Sequence, residues 1–231
     1  MQKEIESGNM NAVIFDLDGV IVHTDEYHYR AWKKLADRLG VCFDERINNR
    51  LRGVSRLESL EIVLENSAFS DIPDAEKAAL ADEKNKTYQT LLQAMTPDDL
   101  SPEVLKTLRA LKERGCRMAI GSSSRNAPLI LEKIGLAGFF DAVSDGNNIT
   151  NSKPDPEVFL KAAEYLGVSA KDCVVVEDAD AGIEAARRAG MKTIAMGDAA
   201  RGGQADWSIQ SFGEILTIME NIKRVMPILT E

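Results

Sequence analysis

The chain lacks long hydrophobic runs, and this absence excludes a class of proteins. No apolar stretch among its 231 residues approaches the roughly 20 residues that a helix needs to cross a bilayer. The first ten residues are polar and mixed in charge, which is unlike a secretory signal. We therefore expect a cytoplasmic protein with no membrane partner.

Positive charge is also scarce. The chain has 28 Lys and Arg against 37 Asp and Glu, which gives a formal net charge of -9. Binding to a phosphate backbone requires a basic surface, so we expect no nucleic-acid partner. An anionic small substrate is still allowed, because a few local cations and a metal can reverse the field of one cleft.

Cysteine is the third scarce residue. Cys42, Cys116 and Cys173 are scattered, odd in number and without C-x-x-C spacing. Cys116 and Cys173 flank apolar runs that are typical of buried strands. They are therefore predicted to be reduced thiols in the core.

Apolar runs that are present predict a parallel sheet. Residues 12–15, 117–121 and 173–176 form three such runs, and residues 192–196 form a weaker one. Helical patterns separate them, as in "SPEVLKTLRALKERG", where Ser101, Pro102 and Gly115 suit the start and end of a helix. Strands that alternate with helices indicate an α/β fold built from right-handed βαβ units.

Residues 24–94 interrupt this alternation with patterns of helical period and no convincing strand. "SRLESLEIVLEN" opens with Ser55 and Glu58 at the spacing of a capping box. We predict a discontinuous catalytic core, residues 1–23 and 97–231, with a helical cap, residues 24–96, inserted after the first strand. The junctions, near 22–26 and 93–99, are expected hinges. No large additional apolar stripe requires a partner, so we expect a monomer.

Two carboxylates, Asp16 and Asp18, follow the first predicted strand. The carboxyl edge of an open α/β sheet is where ligands bind, and residues two apart can point the same way. Paired carboxylates resist burial unless a cation joins them. A calcium loop fits poorly, since Gly19 falls fourth instead of sixth. The alternative is a pair of solvated turn residues.

A second carboxylate pair, Glu177 and Asp178, follows the strand predicted at 173–176. The two pairs can meet across the sheet edge. Oxygen ligands without His or Cys suit Mg²⁺, which is the cofactor we expect. Asp180 is expected only to cap the next helix.

Two further strand ends carry groups that suit phosphate. Ser122 of "SSSRN", with the backbone N–H groups that follow it, can bind phosphate oxygens. The alternative is a serine cap for a helix that begins near Asn126. Lys153 of "NSKPDPEVF" can neutralise phosphate or pair with the aspartates, or else be an ordinary solvated lysine.

Four segments, "DLDGVI", "SS", "KPDPEVF" and "VVEDADAGIEAA", together resemble the ordered motifs of the haloacid dehalogenase-like phosphotransferases. The resemblance implies a Rossmann-like core with a helical cap. It also implies that Asp16 is the nucleophile and Asp18 the general acid/base. Mg²⁺ would bind Asp16, the backbone carbonyl of Asp18, Asp178 and, in or next to the shell, Glu177. Ser122, Asn126 and Lys153 would hold the transferring phosphate.

Cap residues in "DEYHYRAW", "LRGVSR" and "EKNKTY" are similar to those of the hexose-phosphate mutases in this superfamily. This implies interconversion of β-D-glucose 1-phosphate and D-glucose 6-phosphate through an aspartyl-phosphate enzyme and β-glucose 1,6-bisphosphate. Arg56 would anchor the distal phosphate, helped by Arg52 and Lys84, although Lys84 also suits a solvated helix face. His23 departs from the acid found in many relatives. The residues expected to contact substrate are Thr24, His28, Trp32, Arg52, Gly53, Val54, Ser55, Arg56, Lys84, Ser122, Ser123, Arg125, Asn126 and Lys153.

Two other functions fit the same sequence. A sugar-phosphate phosphatase would use the same two aspartates, and the cap would decide between the two activities. A catalytically inactive phosphosugar-binding or regulatory protein would also have this fold, although suitable residues fill every predicted catalytic position.

Overall fold

A computed structural model describes residues 11–51 and 54–225 of the chain. Arg52 and Gly53, two of the predicted contact residues, lie outside the described residues. Among the described residues, no helix combines the length and the apolar character that spanning a membrane requires.

Six parallel strands form one sheet in the order β3-β2-β1-β4-β5-β6. The strands are β1 (Ala12–Phe15), β2 (Arg117–Gly121), β3 (Ala142–Ser144), β4 (Cys173–Glu177), β5 (Lys192–Ala195) and β6 (Trp207–Ser208). This order is that of a Rossmann-like sheet, so the predicted α/β class is confirmed. The edge strands β3 and β6 were not predicted, because three and two residues are too short to give a sequence pattern.

The central strand is buried on both faces, as a parallel sheet covered by helices requires. Val13 and Phe15 join one apolar cluster, while Ile14 joins another on the opposite face with Val175 of β4. Cys116 and Cys173 are both buried, so the prediction of core thiols is confirmed for this pair.

Nine helices are described. They are α1 (Asp25–Leu39), α2 (Glu45–Asn49), α3 (Arg56–Leu64), α4 (Asp74–Leu92), α5 (Pro102–Glu113), α6 (Ala127–Lys133), α7 (Glu157–Leu166), α8 (Asp180–Arg188) and α9 (Glu214–Val225). The expected role of Asp180 as a cap is wrong: Ala179 occupies the N-cap position, and Asp180 is the first helical residue. At this position its carboxylate interacts favourably with the positive end of the helix dipole.

Helices α1 to α4 all fall in residues 24–96, which we call the cap segment, and no strand is described within it. Trp32, Leu35 and Leu60 are buried in an apolar cluster of this segment. The capping box of Ser55 and Glu58 is present at the start of α3. Helix α4 also contacts the core, since Tyr88 and Leu92 belong to the same apolar cluster as Val13 and Phe15 of β1. The division into two domains stays a prediction.

Candidate active site

A cavity of about 530 Å³ lies between the carboxyl edge of the sheet and the cap segment. The loops that follow β1, β2 and β4 line its core side, and helices α1, α3 and α4 contribute to its cap side. This is the edge at which open α/β sheets bind ligands.

Three carboxylates meet at the core end of the cavity. Asp16, Glu177 and Asp178 each place one oxygen within 4.8 Å of the others. Lys153 forms ion pairs with Asp16 and, at 3.1 Å, with Glu177, and its ammonium also lies 4.7 Å from the Phe159 ring centroid. Lys153 is therefore a buried partner of the aspartate, and the alternative of a solvated lysine is wrong.

Burial dominates the electrostatics of this cluster. Burial raises the pKa of Asp16, while the Lys153 ammonium opposes the rise. Burial, followed by the charge of Asp16, raises the pKa of Glu177 well above its ordinary range and that of Asp178 to about 7. Burial alone would lower the pKa of Lys153, but the Asp16 and Glu177 charges outweigh it and raise that pKa. Lys153 therefore remains cationic.

The donor set fits a hard divalent cation. One lysine faces three carboxylates and leaves them under-neutralised, while burial raises their pKa values. The oxygens of Asp16, Glu177 and Asp178 include no nitrogen or sulfur ligand, which suits Mg²⁺ better than zinc. Lys153 is paired with both Asp16 and Glu177, so a bound cation would share these two carboxylates with the lysine.

Asp18 is in a different environment from Asp16. Its carboxylate accepts a hydrogen bond from the buried Thr24 hydroxyl. Burial, followed by the charge of Asp16, raises the pKa of Asp18 to about 7. A carboxyl group with such a pKa can donate and accept a proton near neutral pH.

Gly19 explains how the aspartate loop approaches β4 so closely. It has φ of 90°, and a Cβ there would overlap the Asp178 carboxylate. Its N–H donates to Val22 O at 2.8 Å, which closes the turn after Asp18. Glycine is required here on both conformational and steric grounds.

The serine loop, residues 122–126, carries the second predicted motif from β2 into α6. Ser122 Oγ accepts from Ser124 N–H at 3.1 Å, and Ser124 Oγ accepts from Asn126 N–H at 3.2 Å. These two backbone donors are thus already used within the loop. Ser123 Oγ is buried without a hydrogen-bond partner, so it is a polar group that a ligand would satisfy.

A cluster on the cap side surrounds Lys84. Its ammonium lies 2.8 Å from His28 Nδ1, 4.8 Å from the Trp32 ring centroid and 4.7 Å from the Tyr88 ring centroid. Burial, with the charge of Arg56, lowers the pKa of Lys84 to about 7. Burial and the Lys84 charge lower the pKa of His28 well below its ordinary value. The alternative of a solvated surface position for Lys84 is wrong.

Arg56 is a second cation of the cap side and lines the cavity with Val54 and Ser55. Burial and the charge of Arg125, on the serine loop, lower the pKa of Arg56. The partner of Arg56 in an ion pair is Asp82, at 3.5 Å. Two like charges that face one cavity and are incompletely neutralised are suited to an anion.

The structure brings together nearly all of the predicted site residues that it describes. Thr24 does not line the cavity but contacts Asp18, and His23 is exposed outside it. The predicted residues that line the cavity are Asp16, Asp18, His28, Trp32, Val54, Ser55, Arg56, Lys84, Ser122, Ser123, Arg125, Asn126, Lys153, Glu177 and Asp178.

Several lining residues were not predicted. Asp82 and Asn85 face the cavity from α4, and Ile149, Thr150 and Ser152 face it from the loop after β3. The spacing of Ala78, Ala81 and Asn85 along α4 carried a signal, since residues three and four apart lie on one face of a helix and these three line the cavity. In the loop after β3 only Lys153 was predicted, and its neighbours Ile149, Thr150 and Ser152 carried no comparable signal.

Comparisons with known proteins identify the class that this fold and site define. The sequence profile of the haloacid dehalogenase-like hydrolases matches residues 10–190, and the chain belongs to this family.

Particular relatives are mutases and phosphatases. The chain is 46% identical to a β-phosphoglucomutase of Bacillus subtilis (strain 168) over 189 residues, which cover 81% of this chain and 84% of that one. It is 33% identical to a phosphorylated carbohydrates phosphatase of Thermotoga maritima, with 80% and 84% covered. The crystal structure of a β-phosphoglucomutase from Clostridium difficile superposes with a TM-score of 0.85 at 36% identity and covers 93% of this chain and 99% of that one.

Proposed function

We propose that the protein is a Mg²⁺-dependent phosphomutase that interconverts β-D-glucose 1-phosphate and D-glucose 6-phosphate. The observation that supports this best is that one cavity contains two separate sets of cations. Lys153 is paired with Asp16, whereas Arg56 belongs to the cap segment and is paired with Asp82. Arg56 also experiences the charge of Arg125, and all three cations line the same cavity. A sugar with two phosphates needs Lys153 for one phosphate and the two arginines for the other. A sugar with a single phosphate needs only Lys153.

Asp16 is proposed as the nucleophile because it directly follows β1 at the carboxyl edge of the sheet, lines the cavity and is paired with Lys153. Its oxygen bonds to phosphorus as the bond from phosphorus to the sugar oxygen breaks, and Asp18 gives that sugar oxygen its proton. In the other half-reaction, Asp18 removes the proton from the attacking sugar hydroxyl, and the phosphoryl group leaves Asp16. The bisphosphate is formed from glucose 1-phosphate in one half-reaction and yields glucose 6-phosphate in the other.

When bound, Mg²⁺ would neutralise charge on the transferring phosphoryl group. Asp16, Asp178 and the backbone carbonyl of Asp18 would hold it, with Glu177 in or next to the shell. Lys153 and Ser122 would orient the same phosphoryl group, and the buried hydroxyl of Ser123 is a further donor in the lining of the cavity.

Sugar recognition is assigned to the cap segment. Lys84, His28 and Trp32 form a polar and aromatic wall of the cavity, which suits a hexose with hydroxyl edges and apolar faces. His28 contacts Lys84 and stacks on Tyr88 with ring centroids 4.0 Å apart. These contacts would link sugar binding to the position of α1, whose first residue follows Thr24, the partner of Asp18.

A sugar-phosphate phosphatase is the second candidate, because the T. maritima relative is a phosphatase of phosphorylated carbohydrates. The chemistry at Asp16 would be the same, with water as the acceptor. We propose that the cap segment closes over the cavity and excludes this water. The two functions therefore differ in the fate of the phosphoryl group.

The distinguishing assay supplies β-glucose 1-phosphate, Mg²⁺ and a trace of β-glucose 1,6-bisphosphate. We expect glucose 6-phosphate to form with little inorganic phosphate, and the α anomer to be a poor substrate. Stoichiometric release of inorganic phosphate without glucose 6-phosphate would contradict the mutase assignment. Neither product from any hexose phosphate would favour the inactive binding protein.

A further inference from the structure

Asn126 connects the core to the cap segment through both ends of its side-chain amide. Asn126 is buried in the serine loop and lines the cavity. Its Oδ1 accepts from Gln89 Nε2 at 2.8 Å, and its Nδ2 donates to Asn85 Oδ1 at 2.9 Å. Gln89 and Asn85 are four residues apart on α4, so they lie on the same face of that helix.

The two contacts are chemically directional. An amide has a donor end and an acceptor end, and a reversed Asn126 would place its Nδ2 against the Gln89 donor and its Oδ1 against the Asn85 acceptor. With Gln89 donating, the Nδ2 of Asn126 faces Asn85, which itself lines the cavity. Gln89 does not line the cavity, so it can hold this orientation without contacting a ligand.

We propose that Gln89 is a positioning residue that orients the Asn126 amide as a hydrogen-bond donor for the anionic substrate. A phosphate oxygen takes the place of Asn85 Oδ1 as the acceptor of Asn126 Nδ2. Because Gln89 belongs to the cap segment, Asn126 is held in this orientation only while α4 lies against the serine loop. The inference rests on the proposed function, in that it assumes a sugar phosphate in this cavity.

The test compares two substitutions at position 89 under conditions of mutase turnover. Gln89→Met removes the donor with little change in size, so Asn126 loses its orienting partner. We expect the KM for β-glucose 1-phosphate to rise about fivefold with kcat within twofold, since a hydrogen bond contributes about 1 kcal/mol. Gln89→Glu offers only acceptors and therefore favours the reversed amide. We expect it to raise KM at least twentyfold.

Matched variants separate orientation from charge and from structure. Thr90→Glu places the same charge on the next residue, which is exposed, and Gln93→Met makes the apolar change near the end of α4. Both should retain wild-type KM. The circular dichroism spectrum of Gln89→Met should match that of the wild-type protein, so that the rise in KM does not result from unfolding.

The proposal is overturned if Gln89→Met leaves KM within twofold of wild type, or if Gln89→Glu is no worse than Gln89→Met. If the wild-type protein instead releases inorganic phosphate from the sugar, the mutase assignment fails independently. The same comparison of KM for that hydrolysis then still tests Gln89.

Discussion

Replacing Lys84 by methionine should make the protein more stable and less active. Lys84 is 3% exposed, and its pKa falls from an ordinary 10.5 to about 7 because burial disfavours the cation. A difference of about 3.5 pH units costs about 4–5 kcal/mol of folding free energy wherever both states are protonated. Methionine would keep the apolar contacts with Trp32 and Tyr88 without this cost.

The sign of the pH dependence follows from the lowered pKa. Between about pH 7 and 10.5, the unfolded chain holds the Lys84 proton and the folded chain has released it, so wild-type stability rises with pH. The full cost is present below pH 7 and is lost above 10.5. Lys84→Met has no such pH-dependent cost. Its free energy of unfolding should therefore exceed that of the wild type by about 2 kcal/mol less at pH 9 than at pH 7.

Urea unfolding of the metal-free protein at pH 7, 8 and 9 measures this advantage. The lost hydrogen bond to His28 lowers the stability advantage of Lys84→Met by about 1 kcal/mol at every pH. The change of this advantage with pH is therefore a cleaner test than its value at one pH. Lys86→Met is the control, because Lys86 is exposed on the same helix. An advantage that does not change with pH would refute the burial of a titrating cation at this position.

Three further outcomes are expected. Asp16→Asn should abolish turnover while leaving the circular dichroism spectrum unchanged, because it removes the nucleophile and retains its shape; wild-type turnover would disprove the assignment. Arg56→Ala should raise the KM for a sugar phosphate about tenfold or more, because it removes the charged partner of the distal phosphate. The hydrolysis of acetyl phosphate, which has no distal phosphate, should stay within twofold of wild type. Equal losses in both assays would count against Arg56 as the distal anchor. Gly19→Ala should lower turnover at least tenfold and stability by about 1–3 kcal/mol, because φ is 90° and the Cβ overlaps Asp178; wild-type kinetics and unfolding would contradict the close approach.

The sequence predicted the central sheet because its strands are buried on both faces and so appear as continuous apolar runs. β1 and β2 have the bounds expected from these runs, while β3 and β6 were missed. The two short strands are defined by pairing with β2 and β5 rather than by any local pattern. Such non-local contacts leave little trace in a single sequence.

The charged residues of the site were predictable because carboxylates and lysine at strand ends are costly without a ligand. The side-chain amides that α4 contributes were not predictable. Asn85 and Gln89 look like ordinary polar positions of a helix, and only the approach of α4 to the serine loop gives them a partner in Asn126. The sequence around Lys84 suits a solvated position equally well, because the burial of this lysine depends on aromatic side chains from two helices.

The most direct test of the account follows one labelled phosphoryl group. The protein is mixed with β-glucose 1,6-bisphosphate that carries radioactive phosphate, and half of the sample is quenched in acid and digested. We predict that the label is found on the peptide containing Asp16. In the other half, a chase of unlabelled glucose 6-phosphate should move the label into sugar phosphates. Label on another residue, or its release mainly as inorganic phosphate during the chase, would contradict a mutase that works through Asp16.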